Sequence, residues 1–146
     1  MNVIFSTDGS KQSAAAMRVF DKLKLDDSDE ITILSVVDMV VPASYTYGYM
    51  PDTSDIENAA RAHASKVVEN ALDEISKKYS EVSPAIRTEI QFGSPEVRIV
   101  EKAEEIDADL IVMGSHGYSA WERLLLGSVS DSVVRHAPCS VLVVRK

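Results

Sequence analysis

The chain has 146 residues, 45% of them hydrophobic, one cysteine and a formal charge of −8. This length fits one domain spanning 1–146, and the single cysteine excludes an internal disulfide framework and fits a reducing, cytoplasmic setting. The acidic balance disfavours nucleic-acid binding and docking on anionic lipid, and no stretch reaches the roughly 18 apolar residues of a membrane span, so no membrane insertion is expected.

Short β-rich runs alternate with helical stretches along the chain. Val3-Ile4-Phe5 is a first strand, stopped by Asp8-Gly9-Ser10. Ala14, Ala15, Met17, Val19, Phe20 and Leu23 then follow a mostly helical spacing. Ile31 to Val37 is a second β-branched run, and a loop over 39–51 holds Tyr45, Tyr47 and Tyr49. Ile56, Ala60, Val67, Ala71, Leu72, Ile75 and Tyr79 return to one helical face every three or four residues.

Ile86, Thr88, Ile90 and Phe92 alternate with polar residues, which predicts a strand near a sheet edge. Ser94-Pro95 reads as a helix start, with Val97, Val100, Ala103 and Ile106 as the apolar face of that helix. Leu110-Ile111-Val112-Met113 is the continuous apolar run of a central parallel strand, and it leads into Gly114. A last helix over 128–136 and a strand Val141-Leu142-Val143-Val144 close the pattern. Strands alternating with helices predict an α/β fold with a five-stranded, doubly wound parallel sheet covered by helices on both faces. Ligands of such sheets sit beyond the strand C-termini at the switch point.

The segment from Gly114 to Ser130 is the richest in chemistry. Gly114 and Gly117 flank a turn after the fourth strand, where glycine allows close backbone approach and positive φ. Gly127-Ser128-Val129-Ser130 opens a helix, with Ser128 and Asp131 spaced as a capping box. A helix start offers unpaired N–H donors and partial positive charge, so two turns and two hydroxyls can enclose a polyphosphate. The same spacing also serves as turn and cap alone, and Asp131 opposes an anion unless it turns away to cap the backbone. Asp8, at the end of the first strand, suits either ribose hydroxyls or the N-cap of the first helix. His116 lies inside the glycine loop. His63, His136 and Cys139 lack the spacing of a metal site, and Cys139 reads as a small apolar residue before the last strand.

The spacing Gly114-x2-Gly117-x9-Gly127-Ser128 resembles the nucleotide loop of the universal stress protein family. So do the strand ending in Asp8-Gly9-Ser10, the Val36-Val37-Asp38 strand end, and the closing run from Arg135 to Val144. The resemblance spans the whole chain. It implies a Rossmann-like, adenine nucleotide alpha hydrolase-like sheet of order 3-2-1-4-5, and relatives that keep the glycine loop bind ATP, with Mg²⁺ expected alongside. On that resemblance Asp8 holds the nucleoside and Val36 lies against adenine, with Thr7 beside Asp8 as a further expected binding residue. Gly114, Gly117, Gly127, Ser128 and Ser130 match the triphosphate-binding positions, Val129 contributes backbone and Met113 precedes the first loop glycine; His116, within the loop, is either a phosphate contact or an exposed loop residue. Ser6 stands where many relatives carry proline. No catalytic or metal-ligating residue is expected.

Three functions follow from these readings. The first is a nucleotide-dependent stress-response module, homodimeric through the strand 141–144, whose apolar edge invites a copy of itself. The second is a slow ATP hydrolase or phosphotransferase, opposed by the lack of Lys or Arg over 114–117. The third is a ligand-free interaction protein.

Overall fold

The computed structural model describes residues 1–38, 54–79, 84–115 and 126–145. In chain order the elements are β1 (Asn2–Ser6), α1 (Lys11–Met17), a 3₁₀ segment (Arg18–Asp21), β2 (Glu30–Val37) and α2 (Ser54–Lys78). They continue with β3 (Ala85–Phe92), α3 (Pro95–Glu105), β4 (Leu110–Gly114), α4 (Ser128–His136) and β5 (Ser140–Val144). The strands form one parallel sheet of order β3-β2-β1-β4-β5. The expected order 3-2-1-4-5 is therefore the observed one.

Burial on both faces explains the continuous apolar runs. Val3 and Phe5 point to one face and pack with Ile31, Ile33 and Val112 against Phe20, Val68, Ala71 and Ile75. Ile4 points to the other face and packs with Leu34, Ile111 and Met113 against Ile99, Ala103 and Val133. Helices α1 and α2 thus cover one side and α3 and α4 the other, as right-handed crossovers running in opposite directions from β1 require. Phe5 meets Phe20 edge to face at 5.5 Å, which ties the 3₁₀ segment to the central strand. The helix expected to run on towards Leu23 instead tightens at Arg18, and Phe20 enters the core from the tighter turn.

Strand β3 lies at the sheet edge, as its alternation predicts. Its edge is charged: Glu89 pairs with Lys102 of α3 at 2.7 Å, and Lys102 also pairs with Glu105 at 3.0 Å. Burial of Lys102 is compensated by these two carboxylates. The apolar stripe of α3 is phased differently from the expectation. Ile99 and Ala103 are buried, one turn apart, whereas Val97 is 48% exposed. Ile56 also departs from its expected buried face and is 72% exposed. The reason is length: α2 has 25 residues and β3 has 8, about 38 Å against about 27 Å. The first turns of α2 overhang the sheet, and burial begins only at Ala64.

Candidate functional site

A cavity of about 170 Å³ opens at the C-terminal ends of β1 and β4. This is the switch point, because β1 has β2 on one side and β4 on the other. The β1 end contributes Ser6, Thr7 and Asp8, and β2 contributes Val36. Met113 and Gly114 come from β4, and Gly127, Ser128, Val129 and Ser130 from the start of α4. Every expected site residue among the described residues therefore lines one cavity. His116, Gly117 and the tyrosine loop over 39–51 lie outside the described residues.

The α4 end is built around one carbonyl. Gly127 N donates to the Ser115 carbonyl at 2.8 Å, and Ser130 Oγ donates to the same oxygen at 2.8 Å. These bonds bring residues 115 and 127 together across the intervening segment. They also correct two expectations. Ser128 does not cap the helix: Gly127 is the N-cap, with extended backbone and no side-chain cap bond, and Ser128 is the first helical residue. Asp131 does not complete a box but forks onto Arg135. The helix spans 128–136 as expected, but with Gly127 as its cap the first intrahelical bond is Asp131 N to Gly127 O at 2.9 Å. The N–H groups of Ser128, Val129 and Ser130 precede that bond and have no helical acceptor. The Ser130 hydroxyl is committed to Ser115 and Gly127, so Ser130 offers its amide, not its side-chain proton.

The positive φ expected of the loop glycines is corrected at Gly114, while close approach of backbone to it is observed. Gly114 is not at positive φ. A Cβ there would lie 2.7 Å from Gln12 C and 2.8 Å from Ser13 N, so glycine is required for α1 to pass close to the β4 end. Gly127 likewise sits at φ −63°.

At the β1 end, Asp8 Oδ1 accepts from Ser10 N at 2.9 Å, closing a turn through Gly9 at φ +77°. Capping of α1 falls to Ser10, whose Oγ accepts from Ser13 N at 3.2 Å. The N-cap alternative for Asp8 is thereby corrected: a nearer hydroxyl takes the role. Thr7 Oγ1 accepts from Gly9 N and donates to Ser13 Oγ at 3.1 Å, so its side chain braces the turn.

Ser13, Pro95 and Ile99 also line the cavity, and the sequence reading did not assign them. Their signal was topological. Helices α3 and α4 cover the same sheet face, so their N-termini meet at the same edge, and Pro95 and Ile99 form an apolar wall with Val36 and Met113. Among the remaining candidates, His63 and His136 are exposed. Burial, and secondarily the Asp109 carboxylate, pushes the Cys139 thiol up, away from the lowered values of nucleophilic cysteines. Among the described residues no group of three His, Cys, Asp or Glu is placed to hold a metal ion. No helix among them is long and apolar enough to cross a membrane.

An open parallel sheet with a cavity at its switch point defines a doubly wound, Rossmann-like α/β protein. Within that class, the family model of the universal stress protein family matches residues 1–145. A relative from Staphylococcus saprophyticus carrying the universal stress protein name is 35% identical, covering 99% of this chain and 83% of its own. The solved universal stress protein UspA from Lactobacillus plantarum is 27% identical with a TM-score of 0.73, covering 99% of this chain and 97% of that one. A universal stress protein solved in complex with cAMP shares the fold at 24% identity and a TM-score of 0.68, covering 99% and 97% of the two chains. The chain belongs to the universal stress protein family.

Proposed function

We propose that this protein is an adenine-nucleotide-binding regulatory module of the stress response, with ATP as its ligand, acting by binding rather than by fast catalysis. One observation carries the reading: residues 128–130, whose amides precede the first bond of α4, line one cavity together with Asp8 and the apolar residues Val36, Pro95 and Ile99. Three amides at a helix start suit phosphate. A carboxylate at the strand end suits paired ribose hydroxyls, and a branched apolar wall suits a purine face. The cAMP complex of a protein with the same fold supports an adenine ligand.

Mg²⁺ enters this reading with the phosphates, because Asp8 is the one carboxylate among the described lining residues. The described lining also holds no Lys or Arg, so the charge clamps of rapid phosphoryl transfer are not drawn from it. The copy of the chain that pairs with β5 is the proposed partner, since β5 is an edge strand hydrogen-bonded on one side within the sheet. A cytoplasmic location and a single domain over 1–146 belong to the same reading.

Isothermal titration with ATP and Mg²⁺ tests it. Saturable heat with one site per chain is the expected result. Absence of heat at high micromolar protein, together with no nucleotide released on denaturing the purified protein, refutes it.

A further inference from the structure

Reading α4 as an anion-binding helix start meets an objection inside the helix. Asp131 lies in its first turn, only about 4.5 Å along the axis from Ser128. An unneutralised carboxylate there repels phosphate and cancels part of the helix-start potential. The structure shows where that charge goes. Arg135 Nε donates to Asp131 Oδ2 at 3.0 Å and Arg135 Nη2 to Oδ1 at 3.3 Å, a two-point fork one turn along the helix. Asp131 is not among the residues lining the cavity, although Ser128, Val129 and Ser130 all are.

We propose that Arg135 is a positioning residue for the phosphate end of the site: it grips Asp131 by both oxygens, draws the carboxylate towards the C-terminal end of α4 and cancels its charge. The amides of residues 128–130 then meet an incoming anion without a competing negative neighbour. This rests on the adenine-nucleotide reading of the cavity. Arg135 touches no ligand in this scheme and acts only through Asp131. A lysine cannot fork in the same way, so Arg135→Lys restores charge but not geometry.

The consequence depends on ligand charge, which separates it from a packing role. Titrations of the full chain with adenosine, AMP, ADP and ATP at low ionic strength compare wild type, Arg135→Gln, Asp131→Asn and the double variant. For Arg135→Gln, adenosine affinity is expected to be unchanged, with affinity falling about twofold for each added ligand charge. Adding Asp131→Asn to Arg135→Gln restores ATP affinity to about the wild-type value, and the Arg135→Gln defect shrinks at about 1 M salt, where the Debye length is about 3 Å.

Equal losses for adenosine and ATP overturn the proposal in favour of a structural role. So does an Arg135→Gln loss of the same size with and without Asp131, which would make Arg135 a remote cation independent of the carboxylate. Wild-type protein that binds no member of the series overturns the nucleotide reading, and this inference with it. Unchanged far-ultraviolet dichroism and melting of each variant establish that the comparison is between folded proteins.

Discussion

Ser130 donates its hydroxyl proton to the carbonyl of Ser115 at 2.8 Å, joining the first turn of α4 to the end of β4. The Gly127 amide reaches the same oxygen, so one buried carbonyl anchors both ends of the chain segment around the cavity. Ser130→Ala leaves the Gly127 bond in place and removes the second donor. A loss of about 1 kcal/mol is expected, the usual net worth of one neutral hydrogen bond. Urea unfolding measures it. A variant as stable as wild type would show that this bond does not hold the helix start.

Gly114→Ala is expected to act through packing. The new Cβ would press on the backbone of Gln12 and Ser13, which cannot swing aside as a flexible side chain can. A cost of about 1–3 kcal/mol follows, typical of overpacking. The melting temperature falls without any ligand present, and α1 is displaced from β4. Unaltered melting would assign this glycine to ligand approach alone.

Asp8→Asn separates turn from ligand. Asparagine preserves the side-chain oxygen that accepts from Ser10 N, so the Asx turn and the fold persist. The carboxylate charge is lost from the cavity. ATP affinity is expected to drop at least tenfold, about 1.4 kcal/mol, while the unfolding midpoint moves little. Calorimetric titration beside a thermal melt distinguishes this from a general destabilisation.

The Glu89–Lys102 pair sets a pH window. Burial works to raise the Glu89 carboxyl, but hydrogen bonds from Gln91 and Lys102 outweigh it and hold the group below its ordinary value. Burial likewise works against the charged Lys102, yet Glu89 and Glu105 outweigh it and raise the amine above its ordinary value. A lowered carboxylate stabilises above its unfolded value and loses that contribution as pH falls through the folded one. A raised amine stabilises below its unfolded value and loses its contribution as pH rises through the folded one. Stability is therefore expected to fall on the acid flank of the carboxylate range and again on the alkaline flank of the lysine range. Lys102→Met flattens both flanks in denaturant midpoints read across pH. Identical profiles for the two proteins would remove this pair as the cause.

The exposed edge of β5 carries the proposed dimer. Leu142 is 37% exposed on that strand, and a charge introduced there opposes strand pairing between copies. Wild type is expected to run as a dimer in size exclusion with light scattering, and Leu142→Lys as a folded monomer. A monomeric wild type would leave β5 a bare edge.

The strands, the layering of helices on both faces and the place of a ligand cavity were legible in the sequence because they follow from short-range signals, whereas the order 3-2-1-4-5 came with the family resemblance. Period and apolar continuity marked the strands, and handedness then left few ways to connect them. Val3-Ile4-Phe5 reads as doubly buried on sight, and the charged alternation after Ile86 reads as an edge. Asp8, Gly114, Gly127 and Ser128 were candidates from spacing alone, whereas Val36 and Met113 came from the family resemblance, and all six line the cavity.

What the one-dimensional pattern could not contain is who bonds to whom. Asp8 and Ser10 are equally good caps by type, and only the turn geometry gives the helix to Ser10. Ser128 and Gly127 are both plausible helix starts, and a carbonyl contributed by Ser115 decides between them. Gly114 reads as a ligand-loop glycine and lines the cavity, and the backbone of α1 against it supplies a second reason for glycine that the sequence does not show. Lys102 looks like a solvated helix residue until β3 supplies Glu89. Except at Asp8 and Ser10, where a turn of a few residues decides, the deciding atom comes from an element distant in sequence. Local chemistry sets which partners a residue can accept, and packing of the sheet against its helices selects the one it has.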